Sequence, residues 1–193
     1  MAANVALAAL FLAALMPANL NYGSRLADWI WFIGAALMVL LMLVRMPPQT
    51  ASITPQTLLA TGASMVLPAM MQPEGSSSGP IASAAIVVEL IGVTVSQVSR
   101  LYLGRRFGLL PANRGVVTGG PFRIVRHPIY AGWLLLSMGY LMTYPTIRNG
   151  LLILIALPFV LWRIDQEEAL LSGDPAFRSY LAVTRWRLVP FIY

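Results

Sequence analysis

The chain of 193 residues is 58% hydrophobic and only 10% charged, far below the roughly 25% charge of an average soluble domain. It has no Cys and a single His, His127, which excludes a disulfide scaffold, a thiol nucleophile and any metal site built on several Cys or His ligands. All 13 basic residues are Arg, and with 7 acids the net charge is +6. Schiff-base chemistry on Lys is therefore excluded. Nucleic acid is not an expected partner either, because a basic nucleic-acid binder is rich in charge and this chain is poor in it.

Long apolar runs with Arg between them predict an all-α, polytopic transmembrane helix bundle. Residues 1–18 carry one polar side chain, Asn4. They lack the opening positive charge of a signal peptide, which favours a first span. The run 29–44, bounded by Asp28 and Arg45, rises about 24 Å as helix, so flanking residues must help it cross a core of about 30 Å. The run 53–71 is uncharged but holds Pro55, Gly62 and Pro68, which a span tolerates where neighbours satisfy the freed backbone groups. Next come 80–99 with one charge, Glu89, the uncharged run 129–147, and the shorter run 149–162, which carries Pro158 and leads into the charged stretch 163–168. The expectation is six spans, with five as the alternative. They form one domain, with 1–99 holding the N-terminal spans and 100–193 the motifs below.

With the N-terminus inside, Arg45, the Arg residues from Arg100 to Arg126, and Arg163, Arg178, Arg185 and Arg187 fall on cytoplasmic segments, leaving Arg25 and Arg148 outside. That asymmetry follows the positive-inside rule. It puts the loop 100–128, the C-terminal tail and both termini on the cytoplasmic side. Basic residues drawn only from Arg suggest a prokaryotic genome, hence a prokaryotic cytoplasmic membrane.

Glu89 lies at the midpoint of its span, where a charge costs about 2.5–3.5 kcal/mol. Ala82, Ala85, Glu89, Gly92, Ser96 and Ser99 recur at steps of three and four along one face. Two readings stand for Glu89: a close-packed seam with a hydrogen-bonded or protonated acid, or a substrate or proton site. The Gly92-x-x-x-Ser96 spacing also suits helix pairing, so a homodimer through this face is a further expectation.

Segment 115–132 is dense in turn residues and donors. Gly119, Gly120 and Pro121 make a turn that brings backbone close to a ligand. His127-Pro128 reads as a helix start with Pro at the first helical position. The free amides there make a site for a carboxylate or phosphate, and Arg123 and Arg126 add bidentate donors beside it. Attraction to anionic lipid headgroups would also account for clustered Arg. It needs neither Gly nor the fixed spacing of Arg126-His127-Pro128-x-Tyr130-x-Gly132.

The second constellation is Arg163-Ile164-Asp165-Gln166-Glu167-Glu168. Arg163 and Glu167 share a helix face, and Glu168 points about 100° away. Solvated surface ion pairs would be worth little here, but Leu170 and Leu171 resume the apolar pattern at once. Gly173 stops the helix and Asp174-Pro175 caps another, with Phe177, Tyr180, Leu181 and Thr184 on one face. This helix either lies in the membrane interface or packs on the domain's own cytoplasmic rim.

At these residues the chain resembles the integral-membrane methyltransferase family that includes isoprenylcysteine carboxyl methyltransferases and phospholipid N-methyltransferases. The resemblance rests on Arg126-His127-Pro128-x-Tyr130-x-Gly132 and Glu167-Glu168, preceded by Gly120-Pro121-Phe122-Arg123. Arg163, five before the second Glu, and the tail Val189-Pro190-Phe191-Ile192 reinforce it. It covers about residues 100–192. It implies an S-adenosylmethionine-dependent methyltransferase acting on a lipidic or prenylated acceptor within membrane lipids, by carboxylate O-methylation or amine N-methylation. Carried over by motif, His127, Tyr130, Gly132 and Glu167 contact the cofactor, the 119–126 loop with Gly120 folds over it, Arg126 pairs with its carboxylate, and Arg163 and Glu168 orient the acceptor. Membrane sterol reductases, which use NADPH, have similar C-terminal regions and supply an alternative. A non-enzymatic module whose Arg loop binds lipid headgroups is the third reading.

Overall fold

The computed structural model describes residues 26–193; the first expected span, 1–18, lies outside the described residues. Six α-helices follow one another there: α1 (Leu26–Val44), α2 (Pro55–Ala69), α3 (Gly79–Leu103), α4 (Pro128–Thr143), α5 (Ile147–Leu171) and α6 (Pro175–Val183). Two short strands, β1 (Thr50–Ala51) and β2 (Ala112–Asn113), pair antiparallel with Thr50 opposite Asn113 and Ala51 opposite Ala112.

Local signals set the helix ends. Thr54 opens α2 through a reciprocal cap: its hydroxyl accepts from Thr57 N at 3.1 Å, and the Thr57 hydroxyl accepts from Thr54 N at 2.9 Å. Helix α4 starts at Pro128, as the His-Pro dipeptide predicts, but ends at Thr143 rather than 147. Pro145 disfavours helical backbone at the residue before it. The Thr146 hydroxyl then accepts from Asn149 N at 3.1 Å to open α5. Helix α5 runs through Pro158 and through the charged stretch as one 25-residue helix, longer than the expected 149–162. Among the described residues, α5 and the stretch Gly79–Arg106 are long and apolar enough to cross a membrane.

Two antiparallel helix pairs build the bundle. Helices α3 and α4 touch backbone to backbone: a Cβ at Gly92 would lie 2.7 Å from Gly132 O, and one at Gly132 would lie 2.6 Å from Gly92 O. Only residues without side chains permit that approach. Ala85, Glu89, Gly92, Ser96 and Ser99 of the predicted face are buried along it. Glu89, 1% exposed, accepts from the Thr143 hydroxyl at 2.5 Å. Gly92 and Ser96, whose spacing suggested helix pairing, pack against α4.

Helix α2 turns Thr57, Ala60, Thr61 and Ser64 inward, and α5 turns Asn149, Ala156, Val160, Arg163 and Ile164 inward. At the end of this pair away from the motifs, the fully buried Asn149 amide donates to Gln72 O and Tyr144 O and accepts from Gln72 N. Such a satisfied buried amide fixes register as an apolar contact would not. Met38, Leu41 and Met42 of α1 pack on Phe107 and Leu109, which anchors the loop leading to the motifs.

Candidate active site

The site is assembled at one end of the bundle from the turn before α4, the last turns of α5 and the C-terminal tail. The turn itself is held on three sides. Gly120 sits at φ +58, and a Cβ there would run into the Tyr102 ring of α3, so a bulkier residue has neither the conformation nor the space. Phe177 and Tyr180 of α6 bury Phe122. The Tyr180 hydroxyl donates to Phe122 O at 2.5 Å and the Thr184 hydroxyl at 3.3 Å. Burial pushes the Tyr180 phenol up to about 12, so it stays a donor. The apolar face of α6 therefore packs on the domain's own rim, and the reading that laid this face in the membrane interface is corrected. Third, Arg126 N donates to Trp186 O at 2.8 Å and His127 N to Arg187 O at 2.9 Å, so the tail runs along the turn like a strand.

His127 is 8% exposed and faces both acids of α5. Its Nε2 lies 3.0 Å from Glu168 Oε1, and its Nδ1 lies 3.7 Å from Glu167 Oε2. Each acid has further partners. Glu168 Oε1 is 3.1 Å from Arg126 Nε, and Glu168 Oε2 accepts from Arg187 Nε at 3.0 Å and Nη2 at 2.7 Å. Glu167 Oε1 accepts from the Tyr130 hydroxyl and is 3.4 Å from Arg163 Nε. The roughly 100° between consecutive helix positions is what sends the two acids to different partner sets around one imidazole.

Of the residues expected at the site, Arg126, His127, Tyr130, Glu167 and Glu168 are brought together. Arg163 joins them as a buried residue, 6% exposed. It donates to Leu109 O and to the Ser64 hydroxyl, and its guanidinium lies 5.3 Å from the centre of the Tyr130 ring. The structure does not place Gly132 with them: it lies in the α3–α4 seam against Ser96 and Gly92. Helix packing accounts for the absence of a side chain at this position of the motif. Gly120 shapes the turn from beside Tyr102. Arg187 was missed by motif reasoning, since a lone Arg in a tail of several carries no local signal. The groups named here supply carboxylate acceptors, guanidinium donors and an imidazole within one polar cluster. Arg126 Nε and Arg163 Nε are buried beside carboxylates without an aligned hydrogen bond. Among the described residues no cluster suited to a metal ion occurs.

The helical bundle thus closes a His-Pro turn onto the paired acids of its last long helix. The chain is similar in fold to the eukaryotic intramembrane Ras methyltransferase, isoprenylcysteine carboxyl methyltransferase. The TM-score is 0.53 at 20% identity, covering 98% of this chain and 75% of that one. Residues 81–173 match the phospholipid methyltransferase family. This stretch carries both motifs, the His-Pro turn and the paired acids. The match also takes in α3, which bears no motif of its own but packs the full length of α4. A comparison with curated proteins gives no significant match.

Proposed function

We propose that the protein transfers a methyl group from S-adenosylmethionine to a lipidic or prenylated acceptor at the membrane. The observation that carries this reading is the convergence of His127, Tyr130, Arg126 and the two acids of α5 on one polar cluster at the end of apolar helices. S-adenosylmethionine, when bound, supplies an activated methyl carbon on its sulfonium. The chain then has to supply position and a dry cavity, and needs no covalent nucleophile.

The residue types fit the cofactor's groups. Glu167, whose side chain is the most open of the pair at 23% against 12% for Glu168, keeps acceptor capacity for an ammonium or a ribose hydroxyl. Arg126 offers a donor to a carboxylate. His127 and Tyr130 line the same wall, and the 119–126 turn with Gly120 covers it. Arg163, whose donors go to Leu109, Ser64 and Glu167, serves by holding Glu167 and Tyr130. Glu168 faces the acceptor. A carboxylate acceptor needs no base, whereas an amine acceptor gives up a proton, and Glu168 or His127 takes it. The Arg asymmetry of the sequence puts this end of the bundle at the cytoplasmic face, where a polar cofactor arrives from water and a lipidic acceptor from the bilayer.

Titrating the detergent-solubilised protein with S-adenosylhomocysteine and with NADPH tests the proposal. Saturable binding of S-adenosylhomocysteine, lost in His127→Ala, supports it. Saturable binding of NADPH alone points to a reductase, and binding of neither ligand to a lipid-binding module.

A further inference from the structure

Glu168 is held by groups from three parts of the chain, and the strongest hold comes from the tail. Arg187 grips one carboxylate oxygen with two nitrogens, at 3.0 and 2.7 Å. Its remaining nitrogen, Nη1, donates to Asp165 Oδ1 at 2.9 Å and to the Tyr193 hydroxyl at 2.7 Å. Its guanidinium also lies 5.4 Å from the Tyr193 ring centre. Three main-chain amides, those of Arg187, Leu188 and Val189, donate to Tyr193 O at 2.8–3.0 Å, which folds the tail back on itself and fixes where the Arg187 side chain starts. The same residue's carbonyl accepts from His127 N. One residue thus holds both members of the His127–Glu168 contact, His127 by backbone and Glu168 by side chain.

We propose that Arg187 is a positioning residue that fixes Glu168 against His127. The proposal rests on the methyltransferase reading for its consequence in catalysis, but its structural content does not. Glu168 has two oxygens. Arg187 takes Oε2, which turns Oε1 toward His127 Nε2 and Arg126 Nε. Without Arg187 the carboxylate is free to rotate about its last torsion, a broad one for Glu, and Arg126 competes with His127 for either oxygen. A Lys at 187 supplies the charge but not the two-nitrogen fork, so it restores the hold in part.

His127 is the only histidine in the chain, so an imidazole-selective NMR spectrum of the detergent-solubilised protein contains one residue's signals and needs neither cofactor nor acceptor. The expected result is that Glu168→Gln and Arg187→Ala both move the His127 resonance, that the double variant matches Glu168→Gln, and that Arg187→Lys lies between Arg187→Ala and the parent. Arg187→Gln serves in place of Arg187→Ala should the latter not fold. An imidazole resonance unchanged by replacement of Arg187, or unmoved by Glu168→Gln, overturns the proposal. In turnover with labelled S-adenosylmethionine and vesicles of phosphatidylethanolamine or an S-farnesylated cysteine derivative, Arg187→Ala lowers kcat on the order of 100-fold, with S-adenosylhomocysteine affinity within a few-fold of the parent. Absence of turnover in the parent protein sinks the methyltransferase reading and leaves the NMR result standing.

Discussion

His127 Nε2 lies 3.0 Å from Glu168 Oε1, across 41 positions of sequence. The contact joins the first residue before α4 to the last turn of α5 and so fixes how two apolar helices meet at one end of the bundle. The two residues are assigned different tasks. His127→Ala is expected to weaken S-adenosylhomocysteine binding at least about tenfold, because it strips a wall of the cluster and leaves the carboxylates near it short of a donor. Glu168→Gln keeps the shape of the side chain and removes its charge, and is expected to lower turnover more than affinity. Calorimetric titration beside a methyl-transfer assay separates the two. Equal, mild effects of Glu168→Gln on both counts would remove that residue from the acceptor side.

Tyr130 donates to Glu167 and lies under the Arg163 guanidinium. Phenylalanine keeps the ring and the stacking while deleting one hydrogen bond to a charged acceptor, worth about 1.5–3 kcal/mol. Tyr130→Phe is therefore expected to weaken S-adenosylhomocysteine binding by about tenfold and to lower the melting temperature by several degrees. Calorimetry and a melting curve on the same sample check both. An unaltered affinity would restrict Tyr130 to helix packing.

The His-Pro turn, the Glu pair and the Asp174-Pro175 helix start were legible because each is local: a few consecutive residues dictate the backbone and their spacing dictates the face. The seam of α3 was legible for the same reason, through its steps of three and four. What joined those pieces was not. Gly132 belongs to a motif in sequence yet serves the α3–α4 contact in space, since its partners, Gly92 and Ser96, lie on another helix. Arg187 has no distinguishing neighbours, and its part becomes visible only where the tail turns back at Tyr193. The end of α4 was overrun by four residues because hydrophobicity continues past Pro145 while the backbone cannot. Asn149, read as the polar start of a span, is fully buried and locks the far end of the α2–α5 pair.

Asp174 makes a pH dependence that is separate from catalysis. Its carboxylate accepts from the Asn113 amide and from Ala176 N, each at 2.9 Å, tying β2 to the start of α6. The hydrogen bond from Asn113, and then that from Ala176 N, hold its pKa below the ordinary 3.8. A depressed carboxylate contributes stability that is complete above its unfolded value and is lost as pH falls through the lower folded value. Because α6 holds Phe122 and the turn, the hold on α6 is expected to begin to weaken below about pH 4, the unfolded Asp value, and to be gone only once pH has fallen below the lower folded value. Asp174→Asn should remove that step and lower the melting temperature at neutral pH. Tryptophan fluorescence of detergent-solubilised protein against pH reads it; an unchanged acid limb in Asp174→Asn assigns the transition elsewhere.

Glu89 allows the two sequence readings of its span to be separated. It is buried at the α3–α4 seam, the Thr143 hydroxyl donates to it, and a Cβ on Gly139 would meet its Cγ at 2.7 Å. The geometry favours packing. Glutamine has nearly the same volume and retains the acceptor for Thr143, so Glu89→Gln is expected to preserve the melting temperature within a few degrees, the S-adenosylhomocysteine affinity and the turnover. Gly139→Ala forces an atom into a contact that neither the Glu89 backbone nor Ala85 O, 3.0 Å from that Cβ, can yield, and overpacking of this kind costs about 1–3 kcal/mol. Its melting temperature should fall clearly while the residual folded protein binds ligand normally. The opposite pattern, Glu89→Gln inactive at an unchanged melting temperature, would make the buried carboxylate a working group rather than part of the seam.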